Sequence, residues 1–366
     1  MIADPQNRVK PIFIIAEAGV NHNGSIKVAK KLIDVAARSS ADAVKFQTFQ
    51  ADKIISKYAP KAEYQKMSTA ETESQLEMVK KLELTEGGHR QLIEYCQSRK
   101  IQFLSTPFDL ESINLLAQKF ALPSLKIPSG EITDAPFLLA AAQTGKNIIL
   151  STGMSTLKEV ADALGVLAFG YAGFRNKPAI AAFKEAYYSG KGQRLLKEKV
   201  ILLHCTTEYP APFDEVNLKA METLRKTFGL PVGLSDHTQG IAVSIAAAAL
   251  GAAVIEKHFT LDRQLPGPDH KASLEPDELH AMIRSIRQVE KAMGSVQKKP
   301  TVSEIKNLYV ARKSLVAAQP IHKGDVFSPL NLAFKRPGTG ISPMRYWGLL
   351  GKRSAKNYYE DELITK

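Results

Sequence analysis

The chain holds only two cysteines, Cys96 and Cys205, among 366 residues, and neither has the spacing of a metal knuckle or a redox pair. A disulfide framework is therefore not expected, and both thiols should be reduced. Long apolar runs are missing as well. No stretch approaches the ~20 residues that span a bilayer, and the opening MIADPQNRVK lacks the apolar core of a secretory signal. These absences predict a cytoplasmic protein with no membrane contact. Charge is plentiful, 49 Lys and Arg against 37 Asp and Glu for a net +12, but it forms no basic block and no aromatic-interleaved stripe. Nucleic acid is thereby disfavoured, and small anionic substrates suit the scattered positive charge better. Half of the excess lies in residues 301–366, with 11 basic and 5 acidic residues. That tail is expected to face something acidic, such as a partner's active site.

What is present is a rhythm. VGLSDHTQG (232–240) and IEKHFT (255–260) are apolar runs that stop at polar clusters, with the helical run IAVSIAAAALGA between them. This strand, helix, strand unit places His237 and His258 at corresponding strand ends, where two imidazoles can share a divalent metal. The unit recurs. PIFIIAEAGV ends at Glu17, ADAVKFQTF at Lys45 and Gln47, IQFLSTPFD at Thr106, PSLKIPSGE at Lys126 and Ser129, NIILSTGMS at Ser151, and KVILLHCTTEYPAP runs to Tyr209. Helices are predicted near 25–38 with Ser25 as N-cap, and near 85–98, 110–120, 136–143, 156–168 and 276–293.

Eight such units across roughly 280 residues predict a (β/α)8 TIM barrel. An open doubly wound sheet is the rival, but only a barrel brings all eight strand ends to one mouth. Two segments break the rhythm: 51–84, read as a lid over that mouth, and 170–197, read as an insertion. After Met293 the pattern changes to short strands with many Gly and Pro turns. The expected domains are a catalytic barrel over 1–294, a linker over 295–313 and a small β-rich domain over 314–366.

The mouth's inventory indicates chemistry. Lys45 and Lys126 supply cations, Thr106, Ser129, Ser151 and Ser235 supply hydroxyls, and Gly130 and Gly153 let backbone N–H groups approach closely. Together they suit a phosphate. Glu17, His237 and His258 form a separate metal or acid–base corner. Glu256, two residues before His258, faces the same way and is read either as metal-shell support or as a paired core carboxylate. A phosphate pocket beside such a corner fits the joining of a phosphorylated fragment to a carbonyl compound.

FIIAEAGVNHNGS, AVKFQTF, FLSTPFD, LKIPSGE, ILSTGMS, LLHCTTEYPAPFDEVNL, GLSDHT, EKHFT, PGPDHKASLEP and FKRPGTG occur in that order over nearly the whole chain. In this the sequence resembles the sialic acid synthase family. The resemblance implies condensation of phosphoenolpyruvate with an N-acylated amino-sugar, release of phosphate, and a divalent metal, Mn2+ first with Mg2+ and Co2+ as other candidates. It also implies an antifreeze-like (SAF) domain after the barrel, capping the partner's site in a homodimer. By the same resemblance His237 and His258 bind the metal with Glu17 beside it. Lys45, Thr106, Lys126, Ser129, Ser151 and Ser235 surround phosphoenolpyruvate, while Gln47, Tyr209 and Asp269 meet the acceptor. Arg336 would reach the acceptor's N-acyl group from the neighbouring subunit. Thr207 is a departure, since some members have Asn there, and His22, His204 and His270 are read as supporting residues.

The leading expectation is N-acetylneuraminate made from N-acetylmannosamine. The alternative is N,N'-diacetyllegionaminate made from 2,4-diacetamido-2,4,6-trideoxymannose. Two more distant readings are a pyruvate-dependent aldolase with Lys126 as Schiff-base lysine, which leaves both histidines without a task, and a non-catalytic glycan-binding protein.

Overall fold

The computed structural model describes residues 11–60, 74–174 and 177–365. They divide into two compact units, one ending at Gly294 and one beginning at Ser295. The first is built on eight parallel strands: β1 (Phe13–Gly19), β2 (Ala43–Thr48), β3 (Gln102–Pro107), β4 (Ser124–Ile127), β5 (Asn147–Ser151), β6 (Val200–His204), β7 (Val232–Asp236) and β8 (Val254–His258). Their order is β3-β2-β1-β8-β7-β6-β5-β4. The two end strands, β3 and β4, pack against each other and complete the ring. This is the (β/α)8 barrel.

The helices cover the outer face. Ile26–Arg38 begins at Ser25, whose side chain accepts from Val28 N. Glu86–Arg99 is capped by Thr85, and Leu157–Ala172 opens with a Thr156/Glu159 capping box and ends at Gly173, in the left-handed region. Leu110–Asn114 continues as a π turn, Leu115–Lys119, in place of a plain helix to 120. The 170–197 insertion is largely helical: Ile180–Tyr188 and Gly190–Lys199 pack on Leu157–Ala172. Part of segment 51–84 lies outside the described residues, and the rest contains the short helices Ala51–Ile54 and Gln75–Lys80.

Because side chains alternate along a strand, each strand feeds two cores. Ile14, Val44, Phe103, Leu125, Ile148, Leu202, Leu234 and Ile255 face the helices in the main core. Ile15, Ala43, Leu104, Ile149, Leu203 and Val254 form a separate apolar cluster inside the ring. Glu17, Lys45, Thr106, Ser151, Cys205 and Glu256 are each two residues further along their strands. The barrel therefore changes from apolar packing to polar mouth within one inward step.

The second unit carries β9 (Ser314–Ala317) antiparallel to β10 (Leu332–Lys335) and a core of Leu315, Ala317, Ile321, Phe327, Leu332, Tyr358 and Ile364. The stretch expected as linker is partly ordered, since Thr301 and Glu304 form a capping box that starts the helix Val302–Ala311. Gly338 N donates to Tyr309 O at 2.7 Å, tying that helix to the unit. Among the described residues no helix is long and apolar enough to cross a membrane.

Gly233 tests the inner packing. A Cβ there would stand 2.2 Å from Val254 O and 2.8 Å from Leu203 Cδ2, so strand β8 would have to shift. Gly233→Ala is expected to lower stability by about 3 kcal/mol, at the upper end for overpacking; a urea midpoint equal to wild type would refute the close approach.

Candidate functional site

The barrel mouth opens into a cavity of about 380 Å3. Of the residues singled out above, it is lined by Glu17, Lys45, Gln47, Thr106, Lys126, Ser129, Ser151, Tyr209, Ser235, His237, His258 and Asp269. Arg336 belongs to the second unit, where its exposed side chain donates from Nε to Ala311 O at 3.2 Å.

At the cavity floor lies a buried charge network. Lys45 Nζ is 2.8 Å from Glu17 Oε2 and 3.7 Å from Glu256 Oε2, and it donates to Thr106 Oγ1 at 2.7 Å. Lys126 Nζ is 3.4 Å from Glu256 Oε1, which also accepts from Ser235 Oγ at 2.8 Å. Glu256 is thus the hub between both lysines, a paired core carboxylate. Lys257 points outward to Asp236 at 3.0 Å, as alternation requires.

The two carboxyls titrate in opposite directions. Burial pushes Glu17 up to about 7, with Lys45 pulling the other way. Burial works to raise Glu256 too, but Lys126 and Lys45 outweigh it and hold its carboxyl near about 2. Burial alone would lower Lys45, yet the facing Glu17 and Glu256 raise it; Lys126, more weakly paired, is lowered by burial. When Glu17 carries a proton, two lysines face one carboxylate, and the floor has a surplus positive charge. Ser151 Oγ is buried beside them without a hydrogen-bond partner among the described residues. Such an atom requires a ligand or water, which matches an incoming oxyanion. Ser129 Oγ accepts from Gly153 N at 3.0 Å and lies 3.1 Å from Cys205 Sγ, completing this side.

The histidine corner has a defined tautomer. His237 Nδ1 lies 2.7 Å from Thr206 O, and a carbonyl can only accept, so Nδ1 carries the proton and Nε2 presents its lone pair. Ser235 Oγ, 3.3 Å from that Nε2, spends its hydrogen on Glu256. His258 Nδ1 is buried without a hydrogen-bond partner among the described residues, 3.9 Å from Asp269 Oδ2. Burial lowers His237 to about 4 and His258 well below its ordinary value, while burial raises Asp269 to about 6. Both imidazoles are therefore neutral, which is the ligand form. The ring centroids are 5.7 Å apart, and the Tyr209 ring packs on His237 at 4.2 Å. Two neutral, under-satisfied imidazoles fit a divalent cation that keeps open positions, although among the described residues no group of three His, Cys, Asp or Glu side chains is arranged to hold one.

Two features escaped the motif reading, Cys205 and an apolar flank, and Thr207, noted there only as a departure, joins Cys205 at the cavity wall. Counting inward positions from Leu203 would have found both of these residues. His204 faces outward, with Nε2 at 2.6 Å from Val216 O. The apolar flank is drawn partly from segment 51–84.

The NeuB family pattern matches residues 32–298, and the SAF domain pattern matches residues 312–366. The chain belongs to the NeuB family. This NeuB-family chain is 55% identical over 358 residues to the N,N'-diacetyllegionaminic acid synthase of Campylobacter jejuni, covering 98% of this chain and 100% of that protein. It is 45% identical to the protein of the same name from Legionella pneumophila, over 96% and 93% of the two chains. Among solved structures, N-acetylneuraminic acid (sialic acid) synthetase of Leptospira borgpetersenii, in complex with citrate, matches at 33% identity with a TM-score of 0.65, covering 82% of this chain and 90% of that one. The NeuB-family chain is accordingly a sialic acid synthase-type enzyme of the nonulosonic acid class, with a C-terminal SAF domain.

Glu256→Gln leaves Lys126 buried without its carboxylate. The loss should be about 3 kcal/mol at pH 7, as for other broken buried pairs. Since the folded carboxyl sits near about 2 against an ordinary 4.5, its contribution is complete above about pH 4.5 and disappears as pH falls toward 2. Urea unfolding of both proteins should show the gap narrowing across that window; a constant gap would refute the assignment.

Proposed function

We propose that this enzyme condenses phosphoenolpyruvate with 2,4-diacetamido-2,4,6-trideoxymannose and water to give N,N'-diacetyllegionaminate and phosphate. The carrying observation is the full-length 55% identity to a synthase of that product, against 33% to the sialic acid synthetase of known structure. N-acetylneuraminate, the leading expectation from the motifs, becomes the second choice.

In this reading Lys45 and Lys126 neutralise the phosphate and carboxylate of phosphoenolpyruvate, with Thr106, Ser129, Ser151 and Ser235 as short donors around them. Their role is positioning and electrostatic stabilisation. Gln47, Tyr209 and Asp269 hold the open-chain acceptor with its aldehyde toward Glu17. C3 of phosphoenolpyruvate bonds to the aldehyde carbon, and the aldehyde oxygen takes a proton. Glu17, raised to about 7, is suited to deliver it at neutral pH. Water then adds at C2, loses a proton, and the tetrahedral centre expels phosphate. His237 and His258 would hold the divalent metal, Mn2+ by preference; such an ion supplies Lewis-acid polarisation of a carbonyl oxygen. Lys126, with its pKa lowered by burial, is the one feature that suits an aldolase, but the paired carboxylate and the family weigh against a Schiff base. Capping of the site by the SAF domain of a second subunit, with Arg336 reaching the acyl group, belongs to the same proposal.

Phosphate release from phosphoenolpyruvate should be at least about tenfold more efficient, in kcat/KM, with the diacetamido sugar than with N-acetylmannosamine, the scale set by single-group discrimination. Preference for N-acetylmannosamine would overturn the acceptor assignment. Mn2+ alone should raise the wild-type Tm and leave that of His237→Ala unmoved, and EDTA should stop turnover; an equal Tm rise in the variant would remove His237 from the metal site. Arg336→Ala should raise the acceptor's KM about tenfold, as loss of a charged hydrogen bond does, with a much smaller change for phosphoenolpyruvate. An unchanged acceptor KM would place Arg336 outside the site.

A further inference from the structure

The cavity floor is polar, but one flank is not. Val20 after β1, Phe49 and Ile54 after β2, Phe108 after β3, and Met78 and Leu82 from in and beside the helix Gln75–Lys80 line the same cavity as Glu17 and Gln47. Val20, Phe49 and Leu82 form an apolar cluster of their own, with Ile54, Val79 and Phe108 packed on it. The Phe49 and Phe108 rings meet edge to face with centroids 6.1 Å apart.

This flank is held in place. Ala51 N donates to Glu83 Oε1 at 2.7 Å, and Lys80 pairs with Asp52 at 2.6 Å, joining the two short helices that carry it. Ser74 and Glu77 close a capping box at the start of Gln75–Lys80. Behind that helix, Lys81 O comes within 2.6 Å of where a Cβ on Gly24 would stand, an approach that glycine permits.

Resting on the acceptor assignment above, we infer that this apolar flank is the specificity-determining subsite for the acceptor's C6 methyl and C4 acetamido methyl. Phosphoenolpyruvate is not the occupant. Placing a phosphate or carboxylate against carbon would strip its hydration without return, whereas Lys45, Lys126 and the unpartnered Ser151 wait on the floor. The flank instead adjoins the acceptor's side, since Phe49 follows Gln47 by two residues and Val20 follows Glu17 by three. The two candidate sugars differ at the two positions an apolar surface can read. N-acetylmannosamine has hydroxyls at C4 and C6, while the trideoxy sugar has an acetamido group and a methyl. Aliphatic and phenyl groups, with Met78 sulfur at best a weak acceptor, offer a buried hydroxyl no adequate partner of their own; Gln75, on the same helix, is the polar neighbour that lines the cavity beside them. The apolar groups do gain from burying a methyl, and one such group in an apolar pocket discriminates by about 10–200-fold.

The test compares kcat/KM for the two sugars in wild type, Ile54→Ser and Val79→Ser, by phosphate release. Both positions are half-buried and lie outside the barrel's strands. The readout is the ratio of the two kcat/KM values, which does not depend on the fraction of enzyme folded. The ratio of diacetamido sugar to N-acetylmannosamine should fall about tenfold or more in each variant, the lower end of single-group discrimination. A role in packing alone would depress both sugars alike, and an unchanged ratio in both variants overturns the inference while leaving the acceptor assignment standing. A wild type that prefers N-acetylmannosamine overturns the acceptor assignment, and this inference with it.

Discussion

The two-residue repeat of a β-strand is the constraint on which the site depends. Ile15, Ala43, Leu104, Ile149, Leu203 and Val254 fill the ring, and the next inward residue on each of those strands must emerge at its mouth. Those residues are Glu17, Lys45, Thr106, Ser151, Cys205 and Glu256, joined from β4 and β7 by Lys126 and Ser235. One step further come Gln47, Thr207, His237 and His258. A slip of one residue in any strand would turn its functional group toward the helices and an aliphatic side chain into the cavity. The hydrophobic packing that closes the barrel is therefore also what aims the polar groups into the cavity.

That arrangement is costly. Each buried ion loses several kcal/mol of hydration, and the floor concentrates Glu17, Lys45, Lys126 and Glu256 in one place. The network is stable because the charges are unevenly shared. Glu256 stays ionised between two lysines, and Glu17 absorbs the remaining conflict by moving toward neutrality. This leaves positive potential fixed at a buried floor, and on the proposed reading little reorganisation accompanies binding of a dianion there. The same imbalance makes Glu17 able to exchange a proton near neutral pH. The electrostatic conflict at the floor and the proton-exchanging character of Glu17 have a common origin.

The floor was legible in the sequence because a parallel barrel strand announces itself as an apolar run that stops at a polar cluster. Glu17, Lys45, Thr106, Lys126, Ser151, Ser235, His237 and His258 all sit at such stops. What could not be read was pairing. Nothing in IEKHFT says that Glu256 bridges Lys45 and Lys126, because those contacts join strands whose stagger is set only by ring closure. The 170–197 insertion hid its helices because its polar, Gly-containing composition masks a pattern that Leu157–Ala172 completes from outside. Thr301, three residues before Glu304, was a visible capping signal inside the expected linker.

The acceptor's identity was illegible for a related reason. On the proposed reading, strand-end residues handle what the reaction always involves: a phosphate, a carboxylate and a carbonyl. They carry little information about the far end of the sugar. That end must be read by groups standing above the strand ends, and here these come from irregular connections after β1, β2 and β3 and from a short helix with no counterpart in the barrel's repeat. A loop can change from polar to apolar without disturbing a single inward position on a strand, so a shared floor can serve several sugars. Ile54, Met78 and Leu82 lie in a Lys- and Glu-rich segment in which no single residue stood out. The sequence reading put segment 51–84 over the mouth; the folded chain adds that its carbon side chains line the cavity, and on the proposed reading that surface favours a deoxygenated, acylated sugar over a hydroxylated one.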